Sequence, residues 1–101
     1  MGAPDFAERR QYPRVGVAWL ATLKAGLGVF DCMVIDVSKG GAKLAFTDPF
    51  PSGGSGAATL DLGTRGVLRA EIVWRRTMYC GLRFLDAPDR VAAVLEGAIP
   101  D

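Results

Sequence analysis

Several stretches between Val15 and Phe84 alternate apolar and polar side chains with a period close to two. That is the spacing at which one face of a β-strand is buried. The clearest run sets Leu68, Ala70, Ile72 and Trp74 inward against Arg69, Glu71, Val73 and Arg75 outward. Residues 15–24 form a first strand with Val17, Trp19, Ala21 and Leu23 on one face, and Ala25-Gly26-Leu27-Gly28 suits a hairpin connection. Residues 29–36 are apolar on both faces, so strong burial of the whole strand is expected, as in a barrel wall. Residues 36–41 turn the chain, and 42–46 return with Ala42, Leu44 and Phe46 together. Two prolines and three glycines make 48–56 a loop; 57–62 is a strand turned by residues 63–66, and 79–85 is a strand with Cys80, Leu82 and Phe84 on one face. After Phe84 the period lengthens. Asp86 suits an N-cap, Pro88 a first turn and Asp89 the positive helix end, while Val91, Val94 and Leu95 form a stripe, which predicts a helix over 87–97.

Six short strands and one C-terminal helix make an all-β fold, a closed barrel or a sandwich. A chain of 101 residues is one small domain, with 50% hydrophobic and 23% charged residues, the balance of a globular protein. The expected organisation is a polar lead over 1–8 and a single domain over 9–97, with an arginine-rich arm at 9–14, a barrel at 15–85 and the helix at 87–97. A net charge of +1 argues against a general nucleic-acid coating role, which needs many summed phosphate contacts. The sequence has no apolar run long enough to span a bilayer and no signal-peptide pattern at its start, so a cytoplasmic protein without membrane insertion is expected.

Catalytic chemistry has little support. The chain has no histidine, Ser38 has no evident base, and Asp31, Asp36, Asp61 and Glu71 form no recognisable acid–base or metal constellation. Cys32 and Cys80 fit no metal spacing and read as small buried apolar groups. No catalytic residue, metal or cofactor is therefore assigned. Trp19 and Trp74 fall on apolar faces and read as core; a stacking role for Trp74 requires a place at a strand end.

Two motifs carry recognition chemistry. Arg9, Arg10 and Arg14 fall in one segment that Pro13 keeps out of a helix. A guanidinium offers a planar fork matching phosphate and the O6 and N7 edge of guanine, and it stacks on purines. The second motif, Asp36-Val37-Ser38-Lys39-Gly40-Gly41, places a carboxylate able to accept from guanine N–H groups beside a hydroxyl donor. Gly40 and Gly41 there permit close approach and positive φ. Taken singly, the first also suits solvated surface charge and the second a plain turn.

Together the motifs resemble those of the PilZ domain family: arginine-x-x-x-arginine at Arg10 and Arg14, then Asp-x-Ser-x-x-Gly at Asp36, Ser38 and Gly41. Ala70 to Arg75 and Gly81 to Phe84 look like the family's late strands, so the resemblance spans residues 9–95. It implies a six-stranded antiparallel barrel with a C-terminal helix that binds cyclic di-GMP. Arg9, Arg10, Arg14, Asp36, Ser38, Gly40 and Gly41 would be the binding residues, in an arm that is mobile when empty and wraps the ligand. Arg9, just before the first motif arginine, resembles members that take an intercalated ligand pair. Output would pass to an unidentified downstream protein. Two rivals stand beside this reading: an adaptor of the same fold without a ligand, and a single-strand nucleic-acid binder, ranked last because the aromatics fall mostly on inward faces. The helical stripe is expected to pack on the barrel, with a homodimer contact as its alternative.

Overall fold

The computed structural model describes residues 13–26, 28–49 and 56–98. The lead 1–8, Arg9 and Arg10, and most of the 48–56 loop lie outside the described residues. Six strands follow in order: β1 (Val15–Ala25), β2 (Gly28–Val37), β3 (Gly41–Ala45), β4 (Ala57–Asp61), β5 (Val67–Arg75) and β6 (Tyr79–Phe84). A 3-10 turn at Gly63–Arg65 joins β4 to β5, and α1 (Pro88–Val94) ends the fold. The strands close into a barrel in the order β1-β2-β3-β6-β5-β4. All six neighbouring pairs are antiparallel.

The two-residue period explains which side chains fill the barrel. Leu23, Leu44, Leu60 and Leu68 are wholly buried, one each from β1, β3, β4 and β5, and each contributes about 1.5–3 kcal/mol through lost apolar surface. Ala42, Phe46, Cys80, Leu82 and Phe84 are buried as their alternation requires. Val91, Val94 and Leu95 of the helical stripe are buried too, so that stripe packs on the barrel. Arg65 fastens this end: its guanidinium lies 4.0 Å from the Trp19 ring centroid and donates to the Glu96 carbonyl at 3.0 Å.

Three expectations are corrected. β2 is not buried on both faces. Cys32 and Val34 point inward, while Val29 and Met33 are 66% and 38% exposed; a single-layer barrel wall leaves the outer face to solvent. Trp74 does not follow Ile72 inward. A bulge between Ile72 and Trp74 shifts the register against β6 and leaves Trp74 39% exposed. The helix is shorter than 87–97, and Asp86 does not cap it: Ala87 is the N-cap, without a side-chain bond. The Asp86 carboxylate instead accepts the Arg69 amide at 2.8 Å and Arg69 Nε at 3.1 Å. These bonds hold its carboxyl below the usual range, the backbone bond being the main cause.

The seam between β1 and β4 is short. Only Thr22–Ala25 pair with Ala58–Asp61, whereas β1 follows β2 back to Val15.

Candidate functional site

Asp36 emerges where both neighbours of β2 are irregular. The register slips between Gly16 and Trp19 on β1, and between Val34 and Asp36 on β2 against β3. Bulges of this kind re-aim side chains. Arg14, just ahead of β1, meets Asp36 here: Nε and Nη2 both donate to Asp36 Oδ1, at 3.0 and 2.6 Å. The two side chains are 33% and 27% exposed, so the pair is open to solvent on one side. The structure thus joins the arm motif to the turn motif through one ion pair. The last arginine of the arm, Arg14, makes this contact.

Ser38 shapes the turn. Its Oγ accepts the Gly40 and Gly41 amides at 3.0 and 3.3 Å, and its own amide donates to the Gly41 carbonyl at 2.8 Å. The side chain is buried, which leaves its hydroxyl hydrogen as the group available to another acceptor. Gly40 and Gly41 do not adopt positive φ, contrary to expectation. Gly41 serves a different need: a Cβ there would overlap the Leu82 carbonyl on β6. The turn is pinned to β6 by the Phe84 amide, which donates to the Gly40 carbonyl at 2.9 Å.

Across the outer wall the register sets Gly16, Asp36, Lys43, Gly81 and Trp74 in one lateral row over five strands. Neighbours in it are about 4.8 Å apart. Trp74 lies across Gly81, where a Cβ would strike the indole. Lys43 Nζ stands 5.2 Å from the Tyr79 ring centroid and 5.9 Å from that of Trp74. Tyr79 is itself exposed. The wall therefore runs from an arginine–carboxylate pair, past a lysine, to two open aromatic faces. In the adjacent row Gly41 neighbours Arg83, which is ion-paired to Glu71.

Sequence reasoning brought Arg14, Asp36, Ser38, Gly40 and Gly41 to one corner, and the structure joins them there; Arg9 and Arg10 lie outside the described residues. It missed Lys43 and Tyr79, and it turned Trp74 inward. One signal was available: a glycine inside a strand, as at Gly81, often marks a close approach by another group. Among the described residues no group of three or more His, Cys, Asp or Glu could hold a metal ion. No helix there is long and apolar enough to cross a membrane.

This is a small closed barrel whose outer wall carries an arginine–carboxylate pair, a lysine and two aromatic rings. The chain matches the PilZ domain family over residues 8–99 and belongs to it. Among solved structures it is similar to the PilZ domain of CeSA from a cellulose-synthesising bacterium, with 17% identity and a TM-score of 0.65. That match covers 82% of this chain and 91% of that one. It is similar to the PilZ domain of YcgR from Escherichia coli, described with c-di-GMP, with 19% identity and a TM-score of 0.66, covering 85% and 86% of the two chains. It also matches YcgR from Escherichia coli in complex with c-di-GMP, with 21% identity, a TM-score of 0.59 and coverage of 85% of this chain and 42% of that one. No protein of curated function matches the chain.

Proposed function

We propose that this PilZ domain is a receptor that binds cyclic di-GMP without transforming it. The observation that carries the reading is the meeting of both motifs at one corner, through Arg14 and Asp36, with a cation and two aromatic faces beside it. A ligand of two guanines and two phosphates needs each of these: a fork for phosphate or a guanine edge, a carboxylate for guanine N–H donors, and flat surfaces for bases. The PilZ neighbours described with c-di-GMP share this fold.

Binding draws Arg10 onto the same corner and exchanges part of the Arg14–Asp36 contact for ligand contacts. Fixing the arm 9–14 costs about 1–2 kcal/mol per residue in backbone entropy. Charge-assisted hydrogen bonds of about 1.5–3 kcal/mol each and base stacking of about 1–3 kcal/mol offset this. Arg9, a flat cation beside the first motif arginine, stacks on a base of a second, intercalated ligand. The rearranged arm and wall then form the surface read by a downstream protein.

The test is calorimetric titration of cyclic di-GMP into the wild type and into Arg10→Ala, with GTP as control. Selective binding lost in the variant supports the reading, and about two ligands per chain supports the role of Arg9. No heat and no shift in Tm at saturating ligand would overturn it in favour of a ligand-free adaptor.

A further inference from the structure

Strand β6 presents one charged side chain to the outer wall, Arg83, because alternation along Tyr79–Phe84 sends Cys80, Leu82 and Phe84 inward. The cross-strand partners of Arg83 are Gly41 on β3 and Glu71 on β5. It therefore stands between a glycine of the turn motif and a carboxylate, about 4.8 Å from either strand. Such partners share a face of the sheet, with their side chains in reach of each other. Glu71 holds the guanidinium on the β5 side through Nη2. Gly41 puts no side chain on the other side, and a Cβ there would meet the Leu82 carbonyl. The turn is tied to this strand, since the amide of the next residue, Phe84, donates to the Gly40 carbonyl at 2.9 Å. Asp36 flanks β3 from its other neighbour, β2, and carries Arg14 with it. A guanidinium thus stands on either side of β3 near where it leaves the turn.

We infer, resting on the cyclic di-GMP reading, that Arg83 leaves Glu71 on binding and grips the ligand phosphate farther from the arginine arm. Cyclic di-GMP is a closed ring with its two phosphates on opposite sides, so cations gathered at the arm serve one phosphate better than the other. A guanidinium matches a phosphate through two parallel hydrogen bonds, and Arg83 brings that fork from the β6 side. Letting go of Glu71 costs little. The two side chains are 61% and 44% exposed, and an ion pair so open to water is weak. Glu71 is thus a rival of the ligand for one fork. It holds Arg83 in the empty barrel and opposes binding by the strength of the contact given up.

The test is calorimetric titration of cyclic di-GMP into the full chain, into Arg83→Ala, into Glu71→Gln and into the double variant, with a thermal melt of each. Arg83→Ala should weaken Kd about ten- to 100-fold, the worth of one charge-assisted hydrogen bond. Glu71→Gln releases the fork and should tighten Kd about two- to fivefold. That gain should vanish when Arg83 is absent, because Glu71 acts by holding Arg83. Both positions are exposed, so Tm should move by less than about 8 °C in every variant. Wild-type binding with an Arg83→Ala Kd within about threefold of it would overturn the inference and leave the receptor reading standing. So would a Glu71→Gln gain of equal size with and without Arg83, which is the general effect of removing a negative charge. A wild type that takes up no cyclic di-GMP would overturn the receptor reading and this inference together.

Discussion

Arg14→Ala separates the recognition role of the motif from its part in the fold. Arg14 donates twice to Asp36 Oδ1, at 3.0 and 2.6 Å, but the two side chains remain 33% and 27% exposed. A pair so open to water contributes about 0–1 kcal/mol to stability. For a domain of this size 1 kcal/mol moves Tm by about 4–8 °C, which bounds the loss on heating. Binding depends on the same fork far more strongly. Two charge-assisted hydrogen bonds to the ligand, at about 1.5–3 kcal/mol each, are worth about 3–6 kcal/mol. Exchanging the Asp36 contact subtracts up to about 1 kcal/mol, which leaves about 2–6 kcal/mol, or roughly 30-fold to 10⁴-fold in Kd. Calorimetry with cyclic di-GMP, paired with a thermal melt of the same sample, reads both numbers. Arg14→Lys keeps the charge but not the fork, and should recover stability better than affinity. A variant whose Kd changes less than tenfold while Tm holds would refute the assignment of Arg14 to the ligand. A fall in Tm well beyond 8 °C would refute the claim that the pair is peripheral to the fold.

Further outcomes follow from the same geometry. Gly41→Ala drives a Cβ into the Leu82 carbonyl, whereas Gly81→Ala drives one into the Trp74 indole, which can swing into solvent. Denaturant titration should show the first losing more than the second, against a usual range of about 1–3 kcal/mol for overpacking, and only the second should shift tryptophan emission toward that of exposed indole. Asp86 has its carboxyl held below 3.8, so its stabilisation is present above that value and lost as pH falls through the lowered one. Asp86→Asn should therefore melt lower than wild type by a constant margin from about pH 5 to 8, a margin that closes in acid. Burial pushes the Cys32 and Cys80 thiols up to about 12. A disulfide reagent near pH 8 should label neither thiol in the native protein and both after unfolding.

The barrel was legible because its signal is local. Alternation in residues 15–24, 42–46 and 79–84 needs only the strand period, and the inward sets Val17 to Leu23, Ala42 to Phe46 and Cys80 to Phe84 lie where that period puts them. Errors arose where one residue changes the phase. The bulge after Ile72 has no turn residue to announce it, yet it moves Trp74 from the core to the outer wall. Asp86 has the right chemistry for an N-cap, but Arg69, 17 positions earlier in the chain, competes for its carboxylate and wins. In the site, the motif residues Arg14, Asp36 and Ser38 could be read from spacing. Lys43, Tyr79 and Trp74 are brought beside them by strands far apart in sequence, and a register across β3, β6 and β5 is not written in any short window.

The four-pair seam also makes the barrel a structure with a preferred way to come apart. β1 and β4 hold each other only through Thr22–Ala25 and Ala58–Asp61, a ladder no longer than that of β2 and β3, but unlike β2 and β3 they are not joined by a short turn. Pulled from its N-terminal end, the wall should part there first, like a zip with few teeth. It would uncurl into an open sheet in which β1, β2, β3, β6, β5 and β4 remain joined in that order. Closure of that seam is correspondingly the natural last step of assembly, because it joins two strands separated by β2, β3 and the loop between β3 and β4.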